Sequence, residues 1–285
     1  MDADQVLELP ASHMNERDFT RLSQLVYSES GISLPLAKKT MLSTRLLKRM
    51  HSLQLASFGD YYDYVTSPEG RREELPHMID VVSTNKTEFF RESAHFDFMQ
   101  QVLLPQLARQ KGRYGHVHVW SAGCSSGEEP YTLAMVLADW TERNAALTFS
   151  IVGTDISHRV LDRARRAVYD NDTVREVPPR IVRRFFLRGK GEQTELVRVA
   201  PEVRARVELR WLNLMEPFVG MEQMDVIFCR NVIIYFDRPT QAQLMAKFER
   251  QLLPGGYLFL GHSETLNGIN CELKPVRPTI YQKPV

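Results

Sequence analysis

Residues 121–132 read SAGCSSGEEPYT and directly follow the apolar run VHVW of residues 117–120. A loop of small residues that leaves a strand and opens a helix usually cradles a phosphate, because the N-terminal N–H groups and the dipole of the helix attract anions. In this chain the loop is followed at once by two carboxylates, Glu128 and Glu129. The stretch therefore predicts a strand–loop–helix unit whose ligand approaches the backbone closely but is not a phosphate.

The glycine spacing excludes two common phosphate-binding motifs. Gly123 and Gly127 are separated by three residues, which does not match the GxGxxG pattern of dinucleotide sites. The second of these glycines is followed by Glu-Glu-Pro, whereas a P-loop requires Lys and then Ser or Thr. A ligand with an ammonium group and a ribose but no phosphate fits better, and S-adenosylmethionine is such a ligand.

From about residue 115 onward, short apolar runs alternate with segments of helical period. β-Branched runs of this kind, alternating with helices, are typical of a parallel sheet covered by helices on both faces. The predicted strands are HVHVWS (116–121), FSIVGTD (149–155), RVELRWLNL (206–214), MDVIFCR (224–230) and GYLFLGH (256–262). The predicted helices between them are EEPYTLAMVLADWTER (128–143), SHRVLDRARRAVY (157–169) and RPTQAQLMAKFERQLLP (238–254).

Other segments differ from this alternation. The first 80 or so residues show only helical periods, CELKPVRPTIYQK (271–283) predicts an antiparallel hairpin at the sheet edge, and residues 185–211 predict inserted strands. We therefore expect an α/β protein with an all-helical domain and linker at residues 1–83. A sheet-containing domain follows at residues 84–285, with an inserted β-subdomain at about residues 186–206.

Composition narrows the class of protein. The formal net charge is +1, which gives no overall attraction to nucleic acid or membrane. The three cysteines form no CxxC pair, and the N-terminal MDADQVLELPASH lacks the apolar core of a secretory signal. No stretch approaches the roughly 18 apolar residues of a membrane span. His116 and His118 lack a third ligand, so we expect no metal site. The unpaired cysteines and the lack of a secretory signal or membrane span predict a cytoplasmic location.

The ends of the predicted strands supply polar groups for the ligand. Asp155 ends the second strand, where a carboxylate accepts both ribose hydroxyls, although an Asp after a strand is also a common helix N-cap. Asn213 and the backbone N–H of Leu214 suit an adenine ring. The fourth strand ends, beside the first loop, with Arg230, Asn231 and Tyr235.

These stretches resemble the CheR family, the bacterial chemotaxis receptor methyltransferases. The resemblance rests on STNKTEFFRE (83–92), WSAGCSSGEEPYTLAM (120–135), GTDIS (153–157), FCRNVIIYF (228–236), LLPGGYLFLGHSE (252–264) and the N-terminal basic helix, which lie within residues 15–283. It implies an N-terminal helical domain and a Rossmann-like class I methyltransferase domain with a small antiparallel subdomain. The implied activity is transfer of methyl from S-adenosylmethionine to glutamates on the cytoplasmic helices of chemotaxis receptors.

The resemblance also implies roles for individual residues. Asn85, Thr87 and Arg91 fold over the cofactor, and Glu129 contacts it. Arg91 suits a carboxylate of the cofactor or of the substrate, although it also reads as a surface arginine. Tyr235 is expected to orient the acceptor carboxylate, with Arg91 as the supporting charge, although an aromatic in an apolar run also fits the core. Arg230 and Asn231 complete the predicted cofactor set.

Two parts of the chain are expected to recognise the receptor. On a helical wheel Lys38, Arg45 and Arg49 align with Lys48 beside them, which predicts either a receptor-binding face or a solvated one. The inserted subdomain either offers an edge strand and Arg198 to a receptor C-terminal tail or is a purely structural hairpin.

Rival functions remain open at the sequence level. An exocyclic-amine nucleic-acid methyltransferase would carry Asn/Asp-Pro-Pro-Tyr/Phe where this chain reads NVIIYF, and a C5-cytosine enzyme would carry a Cys preceded by Pro. A cofactor-gated docking module is the non-enzymatic alternative. We expect receptors as partners, no nucleic acid, no membrane insertion and a monomer.

Overall fold

The computed structural model describes residues 13–144 and 147–285. The chain divides into two compact units, Met1–Thr84 and Asn85–Val285. The acidic N-terminal segment considered above falls almost entirely at residues 1–12, which lie outside the described residues. Every helix in the described ranges falls short of the length and apolar content that a bilayer crossing requires.

The first unit is all-helical where it is described. Asn15 caps the first helix by accepting the Asp18 N–H at 2.8 Å, and Gly31 ends it with φ of 74°. Ser57 caps the third helix by accepting the Asp60 N–H at 3.1 Å. The helices are α1 (Glu16–Ser30), α2 (Lys39–Ser52), α3 (Phe58–Thr66), α4 (Pro68–Glu73) and α5 (Leu75–Val82), with a 3-10 turn at Leu36–Lys38.

One hydrophobic core holds these helices together. Apolar residues spaced three or four apart along α1 and α2 are buried, among them Leu22, Val26, Leu42, Leu46 and Met50. They pack with Phe58 and Tyr61 of α3 and with Met78 of α5. The apolar faces visible in the sequence therefore account for the packing of the helical unit.

The second unit alternates strands and helices. Its helices are α6 (Ala94–Phe98), α7 (Leu104–Lys111), α8 (Glu128–Asn144), α9 (His158–Arg166), α10 (Pro179–Phe185), α11 (Pro201–Arg204) and α12 (Arg238–Gln251), with a π-helical turn at Met99–Leu103. Its strands are β1 (Gly115–Ala122), β2 (Leu147–Asp155), β3 (Val168–Asp170), β4 (Phe186–Arg188), β5 (Leu196–Val199), β6 (Val207–Trp211), β7 (Met224–Cys229), β8 (Leu252–Leu260), β9 (Lys274–Arg277) and β10 (Ile280–Gln282). Short 3-10 turns lie at Asn171–Val174, Gly191–Gln193 and Ile233–Tyr235.

Seven strands form the main sheet in the order β6-β2-β1-β7-β8-β10-β9. The first five are parallel, and β10 pairs antiparallel with both β8 and β9. The predicted parallel sheet and closing hairpin are thus both confirmed. Chain order reverses between β1 and β7, and in open α/β sheets the ligand lies beyond the carboxyl ends of the strands at such a point.

A second sheet of three antiparallel strands has the order β3-β5-β4. The predicted helix over residues 157–169 is wrong at its end, because α9 stops at Arg166 and Ala167 turns left-handed with φ of 52°. Val168–Asp170 then forms β3 by pairing with β5. Three residues are too few to show a period of two, so only the pairing with a distant segment reveals this strand.

Candidate cofactor and active site

The loop after β1 lies against the ends of β2 and β7. The backbone N–H groups of Gly123 and Cys124 both donate to the Thr154 carbonyl at 2.8 Å. Gly123 has φ of 80°, and a Cβ atom there would lie 2.5 Å from Cγ2 of Val232. Glycine is required at this position because the backbone is left-handed and the neighbouring loop leaves no room for a side chain.

Asp155 holds the first two ligand-facing loops together. Its Oδ2 accepts the Ser125 N–H at 2.8 Å, and its Oδ1 accepts the Ser157 N–H at 2.9 Å. The N-cap of α9 is Ser157, whose hydroxyl oxygen accepts the Val160 N–H at 3.3 Å. The alternative interpretation of Asp155 as a helix cap is therefore wrong, and the buried carboxylate stands at the end of β2 where the ribose was predicted.

Glu129 faces a buried arginine. Its Oε1 accepts the Ser121 hydroxyl at 2.7 Å, and its Oε2 lies 3.3 Å from Nη1 of Arg230. Nη2 of Arg230 lies 3.1 Å from Oε2 of Glu92. One guanidinium therefore bridges two carboxylates, and two negative charges share one positive charge at the carboxyl edge of the sheet.

The two carboxylates respond differently to this arrangement. Burial raises the pKa of Glu129, and Arg230 and the Ser121 hydroxyl offset only part of the rise. Burial would also raise the pKa of Glu92, but Arg230 and the backbone amide of His262 outweigh it and the pKa is lowered. A further cation would therefore stabilise the ionised form of Glu129 more than that of Glu92.

The segment from residue 85 to residue 91 is tied to the loop after β1. The Ser125 hydroxyl donates to the Asn85 carbonyl at 2.9 Å, and Nη1 of Arg91 donates to the Lys86 carbonyl at 3.1 Å. Thr87 is half-buried in the same segment. Nδ2 of Asn85 is buried and has no hydrogen-bond partner in the described chain, so it is a donor that a bound ligand would satisfy.

The segment directly after β6 carries Asn213 and Leu214, the predicted adenine contacts. Asn213 and Leu214 are both buried, but Oδ1 of Asn213 accepts the Met215 N–H at 3.0 Å. The Leu214 carbonyl accepts Nζ of Lys247 at 2.8 Å. Oδ1 of Asn213 therefore shapes the turn after β6, because an asparagine after a strand bonds readily to the backbone two residues on, and the adenine contact stays a prediction.

The loop after β7 presents Asn231 and Tyr235. Asn231 is left-handed with φ of 59°, and Tyr235 ends the short turn Ile233–Tyr235. Tyr235 is half-buried, so it lies at the margin of the core and its core interpretation does not hold.

Two arginines of the predicted basic face are occupied within the helical unit. Nη1 of Arg45 donates to the carbonyls of Val82 and Ser83 at 2.5 and 3.1 Å. Arg49 makes a two-pronged ion pair with buried Glu74, with Nε to Oε1 at 2.9 Å and Nη2 to Oε2 at 2.5 Å. Arg45 therefore joins the C-terminal end of α5 to α2, and Arg49 joins the N-terminal end of α5 to α2.

This finding corrects the predicted receptor face. Lys38 and Lys48 are exposed, whereas Arg45 and Arg49 are half-buried and paired. A helical wheel places side chains on one face but does not reveal which of them meet a carboxylate or carbonyl from a helix later in the chain. The exposed charge of the four residues is therefore carried by the two lysines.

Sequence reasoning missed two acidic residues of the site, Glu92 and Glu264. Glu92 is the last residue of the quoted stretch STNKTEFFRE (83–92), but no sequence spacing links it to Arg230. Glu264 follows β8 by four residues and accepts backbone N–H groups from the loop after β7. Unlike Asp155, which ends its strand, Glu264 lies in the loop beyond its strand, so the end of the apolar run does not single it out.

Glu92, His95 and His262 also bring one ligand atom each within 4.8 Å of one another. Oε2 of Glu92 already accepts a hydrogen bond from Nε of Arg230 at 3.3 Å, so a metal ion there would compete with a guanidinium for the same oxygen. Burial lowers the pKa of His95 to about 4, which leaves this imidazole neutral at neutral pH. We assign no ion to this cluster.

Comparison with known proteins finds a matching family model for each of the two units. The model of the CheR methyltransferase SAM-binding domain matches residues 85–281, and that of the CheR methyltransferase all-alpha domain matches residues 17–83. A chemotaxis protein methyltransferase of Escherichia coli K12 is 38% identical over 269 residues, covering 94% of this chain and 91% of the relative. One from Borreliella burgdorferi is 36% identical over 275 residues, covering 95% of each chain.

Fold and site together define an S-adenosylmethionine-dependent methyltransferase with an N-terminal helical domain. More particularly, the chain belongs to the CheR methyltransferase family. The predicted family, fold class and cofactor are thereby confirmed.

The two bonds of Asp155 yield a test of stability. Asp155→Asn should lower the free energy of unfolding by about 1–3 kcal/mol, because the new amide nitrogen would face a buried backbone N–H. Urea unfolding followed by tryptophan fluorescence measures it, since Trp120, Trp140 and Trp211 all belong to the second unit. Asp162→Asn, on the exposed face of α9, is the matched control and should change stability by less than about 0.5 kcal/mol. Equal stability of the two variants would contradict the assignment.

Proposed function

We propose that this protein transfers the methyl group of S-adenosylmethionine to glutamate side chains on the cytoplasmic helices of chemotaxis receptors, and that it acts as a monomer in the cytoplasm. The observation that carries the proposal is the match of both the helical and the cofactor-binding domains to one family of methyltransferases. The named relatives are chemotaxis protein methyltransferases and cover more than nine-tenths of the chain.

The residues at the carboxyl edge fit this cofactor. Nδ2 of Asn85 is a buried donor that a bound ligand would satisfy. Glu129 offers negative charge to an ammonium, and the position of Asp155 suits a ribose. The proposed cofactor set is Asn85, Thr87, Arg91, Glu129, Asp155, Asn213, Leu214, Arg230 and Asn231.

The arrangement in the free chain refines two of these roles. Because Glu129 already contacts Arg230, a bound ammonium would share this carboxylate with the guanidinium. Arg230 is buried and bridges Glu92 and Glu129, so we propose that it orients Glu129 toward the cofactor.

The proposed chemistry is a displacement at carbon. The cofactor supplies a methyl group on a sulfonium; the new O–CH3 bond takes its electron pair from a carboxylate oxygen, and the S–CH3 pair stays on sulfur. A glutamate carboxyl has an ordinary pKa of about 4.3, so the nucleophile is ionised at neutral pH and requires no general base. The protein must therefore align the carboxylate and exclude water from it.

Tyr235 and Arg91 are the proposed groups for alignment. The phenol of Tyr235 would donate to the acceptor oxygen that does not attack, and Arg91 would supply supporting positive charge. Both side chains are half-buried, which leaves part of each accessible to a protein substrate.

Transfer to receptor is tested with labelled cofactor. The full chain incubated with methyl-labelled S-adenosylmethionine and receptor cytoplasmic fragments should label the receptor, and mild alkali should release methanol because the product is an ester. Tyr235→Phe should lower kcat about tenfold to hundredfold through loss of a hydrogen bond to a charged group. Tyr114→Phe, at a tyrosine that is 70% exposed, is the matched control.

The same assay separates the rival functions. Label found in added nucleic acid would overturn the proposal in favour of a nucleic-acid methyltransferase. Cofactor binding without transfer to either substrate would favour the docking module.

Receptor recognition by α2 is proposed to depend on Lys38 and Lys48. Receptor methylation regions in this family are acidic helical bundles, and exposed charges act on such a partner through encounter rate and register. Changing both lysines to Glu should raise KM for receptor several-fold at low salt, with a smaller effect at high salt because the charges are screened. Arg17→Glu reverses an exposed charge on α1 and is the control.

Arg45 and Arg49 need a different expectation. Reversal of Arg49 would leave Glu74 buried beside a like charge, so Arg49→Glu should unfold the helical unit before it reports on binding.

Equal KM values for the double lysine variant and wild type at low salt would show that the exposed face is merely solvated.

The three-stranded sheet is the proposed site for a receptor tail. β5 is paired on both sides, so an added strand must join β3 or β4. Arg198 is exposed on β5 and is available to a terminal carboxylate. Titration with receptor C-terminal peptides should show binding that falls at least about tenfold when Arg198 is changed to Ala or the peptide is amidated. No binding at high micromolar concentration would leave the sheet as scaffold.

A further inference from the structure

Glu264 is a buried carboxylate whose two oxygens accept backbone N–H groups. Oε2 accepts the Gly261 N–H at 2.6 Å and the Asn231 N–H at 2.9 Å, and Oε1 accepts the Ile234 N–H at 3.3 Å. The residue is only 4% exposed. One side chain from the loop after β8 thus accepts hydrogen bonds from backbone amides of the loop after β7.

The loop after β7 has an irregular backbone that lacks the regular bonds of a helix or strand. Asn231 is left-handed with φ of 59° and is followed by a single 3-10 turn. Buried backbone N–H groups in such a loop require an acceptor, and the negative charge of a carboxylate makes a stronger acceptor than a carbonyl. Burial raises the pKa of Glu264, and the amides of Gly261 and Asn231 oppose that rise.

The two loops also touch directly. A Cβ atom on Gly261 would lie 2.5 Å from Nδ2 and 2.8 Å from the backbone nitrogen of Asn231. The contact leaves the Asn231 backbone little freedom to move toward β8. Ile234, whose amide Glu264 also accepts, is 47% exposed and immediately precedes Tyr235.

We propose that Glu264 is a positioning residue for methyl transfer. It fixes the backbone of Asn231 and Ile234, and through them the placement of Tyr235 against the methyl acceptor. The inference rests on the proposed function for the role of Tyr235, while the claim about the loop backbone stands on the contacts alone. Glu264 touches neither cofactor nor substrate in this proposal.

Glu264→Gln is the decisive substitution. It keeps the size of the side chain but replaces one acceptor oxygen by an NH2 group that would face a backbone N–H. At saturating cofactor, kcat should fall about tenfold to a hundredfold, because sub-ångström placement of reacting groups carries effects of this size. Because Asn231 belongs to the proposed cofactor set, the Kd for S-adenosylmethionine should also rise, but by less than kcat falls, since Glu129 and Asp155 are held by other elements.

Hydrogen exchange supplies a readout that does not depend on the substrate. The amides of Asn231 and Ile234 should exchange at least about tenfold faster in Glu264→Gln than in wild type, while amides of β7 keep their protection. If the wild type failed to methylate receptors, this arm would still decide whether Glu264 holds the loop. The two failures are therefore distinguishable.

Glu249→Gln is the matched control. Oε1 of Glu249, on α12, also accepts two backbone amides, those of Glu272 and Leu273, but it holds a loop remote in sequence from Tyr235. This variant should speed exchange at residues 272 and 273 and leave kcat unchanged. If Glu264→Gln does not fold, Glu264→Asp, which keeps the charge but shortens the reach, replaces it with the same expectations.

Either of two results would overturn the proposal. The first is unchanged exchange at residues 231 and 234 in Glu264→Gln. The second is an equal loss of kcat in the Glu249 and Glu264 variants, which would indicate a general loss of stability.

Discussion

The hydrogen bond from the Ser125 amide to Asp155 is the interaction on which the ligand edge of this sheet depends. A loop of small residues has few side chains with which to fix itself, so a buried carboxylate on the next strand supplies the missing constraint. Glu264 holds the loop after β7 in the same manner. In both places an acidic side chain substitutes for regular secondary structure, because a charged acceptor compensates for its own burial only when several amides converge on it.

Arg230 adds an electrostatic constraint to this backbone framework. It is buried between Glu92 and Glu129, and the three side chains together carry one more negative than positive charge. Such a cluster repels phosphate and attracts a cation, which explains why a loop that looks suited to phosphate belongs to a protein whose cofactor is positively charged. The exclusion of phosphate therefore resides in the residues that surround the loop as much as in its glycine spacing.

The sequence predicted the main sheet, the closing hairpin and the place of Asp155 at the end of a strand, because long apolar runs and polar strand ends are local signals. It did not predict β3, whose existence depends on pairing with β5, or the ion pair of Arg49 with Glu74, whose members lie on separate helices. Glu264 was missed for a similar reason, since its partners come from a different loop. A local sequence pattern does not show which distant group a polar side chain contacts.

The small sheet is a detour in the chain. The polypeptide leaves the main sheet after β2, builds β3, β4 and β5, and returns at β6, whose register with β2 extends from Val207 opposite Ile151 to Trp211 opposite Asp155. Its strands contribute no pairing to the main sheet. The turn at residues 190–195 is exposed, so its length and surface can change while the bonds around Asp155 and Arg230 stay as they are.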